Sequence, residues 1–99
     1  MSDIVGMLDE LISSSIFKSS QSGIMVHDYR VPLSELGRQR LTDQLVGEFR
    51  RVCERYDIVC EYDEEMSAFR VRIDLRRCVM TPSQARAMDT AMSHYQLNE

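Results

Sequence analysis

The sequence predicts an α+β fold in which helices cover a small antiparallel sheet. Three observations carry this reading. Between residues 34 and 56, Leu41, Leu45, Phe49, Val52 and Tyr56 recur at steps of four, four, three and four, the spacing of one helical face. Between residues 58 and 76 two runs alternate strictly. Ile58, Cys60 and Tyr62 stand against Val59, Glu61 and Asp63; Phe69, Val71, Ile73 and Leu75 stand against Arg70, Arg72, Asp74 and Arg76. Separated only by Glu64-Glu65-Met66-Ser67, these runs define a hairpin with one buried and one wet face. Finally, Thr81-Pro82-Ser83-Gln84 combines an N-cap threonine, proline at the first helical position and glutamine three residues after the cap, a helix start.

Each element follows from local chemistry. Ser2 and Asp3 suit a helix N-terminus, and Ile4, Met7, Leu8, Leu11 and Ile12 share a face, so residues 3–14 are expected to be a short amphipathic helix. From Ser13 to Ser22 six of ten residues are serine. Serine hydroxyls compete for backbone hydrogen bonds, so this stretch is expected to be a linker, closed by Gly23. The linker would leave the first helix free to dock on its own domain or on another chain. Residues 24–31 are β-rich, with Met25, His27, Tyr29 and Val31 on one side; a strand is expected, stopped by Pro32.

Residues 34–56 are expected to form one long central helix. Val46 and Cys53 widen its apolar stripe, and Arg38, Asp43, Arg50, Arg51, Glu54 and Arg55 lie on the other face. Gly37 and Gly47 weaken it by about 1 kcal/mol each, and Gly47 would mark a bend or the close approach of another backbone. The hairpin runs over 58–63 and 68–76. Pairing Tyr62 with Phe69 sets Cys60 against Val71 and Glu61 opposite Arg70; a shift by two pairs Glu61 with Arg72 and buries the same face, so both registers stay open. The last helix spans 82–96, with Ala85, Met88, Met92 and Tyr95 on one face and Ala87 and Ala91 as a small-residue stripe. All 99 residues are read as one domain, 1–23 being helix and linker and 24–99 the α+β core. The element order is compatible with a ferredoxin-like arrangement lacking its last strand and with a winged helix.

Composition narrows the function. Hydrophobic residues make up 43% of the chain, which excludes a disordered acidic tail. No run approaches the length of a membrane-spanning helix, and the N-terminus has neither a basic region nor a cleavage site; a cytoplasmic location is expected. Twelve basic and sixteen acidic side chains give a net charge of -4, unfavourable for nonspecific nucleic-acid binding. All basic residues except Lys18 are arginine, which fits a bacterial or phage genome rich in GC, or selection for bidentate donors at an interface. The charges are not evenly spread: residues 57–76 carry three basic and six acidic groups, residues 34–56 five and four.

No metal, cofactor or catalytic motif is expected. Cys53, Cys60 and Cys78 are spaced by 7 and 18 residues with no CxxC pair, so they read as unpaired thiols. His27 and His94 lie far from them in sequence. GxSxG, HExxH and a glycine-rich phosphate loop are all missing. The expected function is that of a small noncatalytic adaptor, chaperone-like factor or inhibitor that covers a partner protein's surface. Its contact residues would be Glu61, Glu64, Glu65, Arg70, Arg72 and Arg76, and Met88, Ala91, Met92 and Tyr95 would mediate homodimerisation. An alternative is a winged-helix-like nucleic-acid-binding regulator. It would use Arg50, Arg51 and Arg55 on the recognition helix, with the hairpin as wing. The acidic hairpin tip and the missing turn before that helix count against it. A third class is a structural subunit of a larger assembly.

Overall fold

The alternation of residues 58–76 is realised as two strands that share a sheet with a third, earlier one. The computed structural model describes residues 3–97, and the side chains of 4–93; Ser2 and the side chain of Tyr95 lie outside them. Three helices and a three-stranded antiparallel sheet give an α+β fold. The elements are α1 (Asp3–Ser22), β1 (Val26–Pro32), a 3-10 turn (Leu33–Leu36), α2 (Asp43–Arg55), β2 (Val59–Asp63), β3 (Ala68–Asp74) and α3 (Pro82–Leu97). β3 is the middle strand, flanked by β1 and β2. The hairpin adopts the register with Tyr62 opposite Phe69, Cys60 opposite Val71 and Glu61 opposite Arg70. β1 pairs on the other side, with Asp28 opposite Arg72 and Arg30 opposite Arg70. Pro32 ends an edge strand, where its missing N–H costs no ladder bond.

α1 is longer than the sequence pattern predicts. The serine run is helical to Ser22 rather than a linker. The buried stripe Ile4, Leu8, Ile12 continues through Ser15, Ile16 and Ser19, which keeps the helical period when the serines are counted as small residues. Their hydroxyls are satisfied without breaking the helix: Ser15 Oγ donates to the Leu11 carbonyl at 2.8 Å and Ser22 Oγ to that of Lys18 at 3.0 Å. Across the seam to β1, Ser15 Oγ lies 2.7 Å from the Tyr29 hydroxyl and Ser19 Oγ lies 3.1 Å from His27 Nε2. Gly23, with φ +74°, closes the helix and bonds back to the Ser19 carbonyl. The linker is therefore corrected, and of the two docking alternatives α1 takes the first, packing on its own domain as part of the main core.

The long helix of 34–56 is also divided. Gly37 takes a left-handed φ of +68° and ends the 3-10 turn, and Thr42 then caps α2, its hydroxyl accepting from the Leu45 N–H at 3.1 Å. Leu41, which continued the stripe in sequence, is exposed. α2 buries Leu45, Phe49, Val52 and Cys53. Phe49 stacks on Phe69 with centroids 4.0 Å apart and planes within 6°, and Tyr62 meets Phe69 edge-on at 5.0 Å. Gly47 does not mark a close approach of another backbone, since a Cβ there would meet nothing within 4 Å. Gly47→Ala should therefore stabilise the chain by about 1 kcal/mol through helix propensity alone, read as a higher urea midpoint with unchanged slope.

A tight connection joins α2 to β2. Asp57 is left-handed with φ +55°. The Ile58 N–H bonds to the Cys53 carbonyl at 2.9 Å and the Asp57 N–H to that of Glu54 at 3.1 Å, the paired bonds of a Schellman cap. α3 begins as its sequence predicts. Thr81 N–H donates to Gln84 Oε1 at 2.9 Å and Gln84 N–H to Thr81 Oγ1 at 3.1 Å, a reciprocal capping box. Gln84 Nε2 also reaches the Asp9 carbonyl at 3.4 Å, and α3 packs against α1.

Candidate interaction surface on the open sheet face

The two faces of the sheet have opposite chemistry because strand side chains alternate. Tyr29, Val31, Phe69, Val71, Ile73, Cys60 and Tyr62 belong to the core or pack against it under α1 and α2. The other face exposes Asp28 and Arg30 from β1, Arg70 and Arg72 from β3, and Val59 and Glu61 from β2. Val59 is 68% exposed although apolar. The registers order this face in two rows across the strands, Asp28, Arg72, Val59 and then Arg30, Arg70, Glu61.

Two ion pairs lie on it. Arg72 Nε donates to Asp28 Oδ1 at 2.9 Å, and Arg70 Nη1 approaches Glu61 Oε1 at 3.5 Å. All four side chains are more than half exposed, so both pairs are solvent-screened and weakly held. The Asp28 hydrogen bond and charge raise the Arg72 pKa further. Arg30 stands directly opposite Arg70 and, among the described residues, has no ion-pair partner. Between the rows lies a shallow depression of about 210 Å³, lined by Asp28, Val59, Cys60, Glu61, Arg70, Val71 and Arg72.

The structure brings together only part of the predicted contact set. Glu61, Arg70 and Arg72 share the open face. Glu64 and Glu65 sit in the exposed turn beyond Asp63, whereas Arg76 follows the far end of β3. The strand between them is about 20 Å long at 3.3 Å per residue. Arg76 is also tied down locally: its Nε and Nη2 donate to Asp74 at 3.0 and 3.1 Å, and these bonds hold the Asp74 carboxyl below its usual pKa. Asp28 and Arg30 complete the face but were missed in sequence. Their alternation with Tyr29 and Val31 was the available signal; the pairing of β1 beside β3 was not.

The other candidates separate as well. Arg50, Arg51 and Arg55 are exposed on the outer side of α2, interleaved with Glu48 and Glu54, and Arg51 Nε bonds to the Gly47 carbonyl at 3.3 Å. Of the stripe expected to mediate self-association, Met88 and Ala91 are buried in the core of the same chain and half-buried Met92 packs against it. Among the described residues no three His, Cys, Asp or Glu side chains converge in a way that could hold a metal ion, and no helix is long and apolar enough to cross a membrane. Compared with protein-family models, curated proteins and solved structures, the chain finds no match.

Proposed function

We propose that this chain is a noncatalytic protein-binding factor that lays its open sheet face on a partner protein. The observation that carries the reading is the uncovered face itself: three arginines alternate along β1 and β3, and all three are exposed among the described residues. Arginine presents a planar fork suited to carboxylates and backbone carbonyls, and it is enriched among the residues that dominate binding. The ion pairs of Arg70 and Arg72 are exposed and weak, so a partner carboxylate can replace Glu61 or Asp28 at little cost. Val59 adds apolar ground beside them. Among the described residues β1 and β2 are the two edge strands of the sheet, which extends the surface open to contact.

The test is the double variant Arg70→Glu/Arg72→Glu, compared with Arg51→Glu on α2. The full chain is used as bait in a lysate of its source, and recovered proteins are quantified by mass spectrometry. True partners should fall by about 30-fold or more with the face variant, as expected from a loss of about 2 kcal/mol at a central arginine, and persist with Arg51→Glu. The circular dichroism spectrum should stay unchanged, because all three positions are exposed. Equal recovery with both variants would reject the face.

A second reading, nucleic-acid binding through Arg50, Arg51 and Arg55, gains one observation. The 3-10 turn and the loop 37–42 supply the break before α2 that the sequence pattern lacked, and Arg38 and Arg40 are exposed in it. The acidic tip at Glu64 and Glu65 still opposes a wing docked on phosphates. A mobility-shift titration separates the readings: no shift at low salt removes this one, and a steep salt dependence supports it.

A further inference from the structure

We propose that Cys53 and Cys60 form a redox modification site, in which a peroxide oxidises Cys60 and Cys53 then closes on it as a disulfide joining α2 to β2. The two thiols are seven residues apart, too far for a CxxC motif, but the Schellman cap at Tyr56 to Ile58 reverses the chain between them. Cys53 lies on the buried face of α2. Cys60 follows the inward alternation of β2, opposite Val71, and packs against the same core. α2 in turn packs on β2. The two thiols come close enough for each to shift the other's pKa.

The pair is asymmetric in a way that assigns the roles. The neighbouring Cys53 thiol lowers the Cys60 pKa; the Arg50 charge adds to this, while burial and Glu54 oppose it. The same proximity, followed by burial, raises that of Cys53 and keeps it protonated. Thiolate character and access select the attacking sulfur. Cys60 has both: it is half-buried where Cys53 is sealed, and it sits on β2, an edge strand of the sheet. Cys78 is the internal contrast. It is buried, and burial raises its pKa.

The chemistry balances with peroxide as the only co-reactant. The Cys60 thiolate attacks the O–O bond of hydrogen peroxide; one oxygen stays on sulfur as sulfenic acid, and the other leaves as hydroxide, which takes a proton to become water. The Cys53 sulfur then attacks the sulfenic sulfur, the S–O bond breaks, and the hydroxyl leaves as water with the Cys53 proton. Two thiols lose two electrons in all, and peroxide accepts them.

The test is peptide mapping of the native full-length chain after equimolar hydrogen peroxide, under non-reducing conditions. Trypsin should release residues 52–55 linked to residues 56–70, lighter by two hydrogens than the sum of the free peptides, with Cys78 still a thiol. Cys53→Ala should leave the sulfenic acid on Cys60, trapped by dimedone; Cys60→Ala should abolish the linked peptide; Cys78→Ala should leave it unchanged. The wild-type map stands whether or not the buried Cys53 tolerates replacement. A disulfide through Cys78, one between chains, no disulfide at all, or a Cys60 that reacts no faster than Cys78 would each overturn the proposal.

Discussion

Replacing Phe49 with alanine should destabilise the chain by about 3–5 kcal/mol, the usual range for emptying a buried phenylalanine site. Phe49 is fully buried, stacked on Phe69 at 4.0 Å, and lies where α2 presses on the sheet. Its removal leaves a cavity lined by Phe69 and takes away the aromatic contact together with the buried area. The neighbours are held by β3, the central strand, so they cannot collapse to fill the space. A domain of this size has about 5–15 kcal/mol in all, so the variant should unfold at a much lower urea concentration with a similar slope. A shift of less than 1 kcal/mol would mean that α2 does not pack in this orientation.

Leu8→Ala should cost about 2–5 kcal/mol, and this result decides the status of α1. Leu8 and Ile12 are both fully buried, one turn apart on the face that meets β1 and α3. A helix tethered through a flexible serine linker would lose almost nothing on such a change. A helix built into the core must lose the transfer energy of the side chain and gain a cavity. Urea unfolding followed by circular dichroism measures the difference. The exposed change Ser14→Ala, on the opposite side of the same helix, serves as the control and should stay within about 0.5 kcal/mol.

How far the fold was legible depended on whether a local rule or a distant contact set each element. The hairpin was readable because alternation has a period of two, and a wrong face would bury Arg70 and Arg72. The start of α3 was readable because Thr81, Pro82 and Gln84 satisfy one another within four residues. The serine run was misread for a specific reason. Propensity counts the cost of serine in an isolated helix, whereas here Ser15 and Ser19 are the small polar surface that lets α1 meet Tyr29 and His27 on β1. The break before α2 was missed because Leu41 continued the spacing by chance. Gly37 and Thr42 were visible as a stop and a cap, and they outweighed it.

The candidate surface was half legible. Glu61, Arg70 and Arg72 follow from strand alternation, but Glu64, Glu65 and Arg76 were grouped with them only because they are near in sequence. The proposed Cys53–Cys60 pairing also had a sequence signal, since Cys53 belongs to the inward stripe of α2 and Cys60 to the inward alternation of β2. What sequence lacked was the turn that joins the two stripes. Met88 and Ala91 show the reverse problem: an apolar helix stripe looks the same whether α1 or a second chain covers it.

By itself, then, the sequence determined the fold class, the hairpin faces and the capping of the last helix, because periodicity and capping act over a few residues. Only the tertiary structure decided the strand order, the register, the reach of α1 and which charges share a face. Those depend on segments far apart in the chain that compete for one core. Burial of Phe69, Val71 and Ile73 under α1 and α2 turns Arg70 and Arg72 outward, beside the acids of the flanking strands.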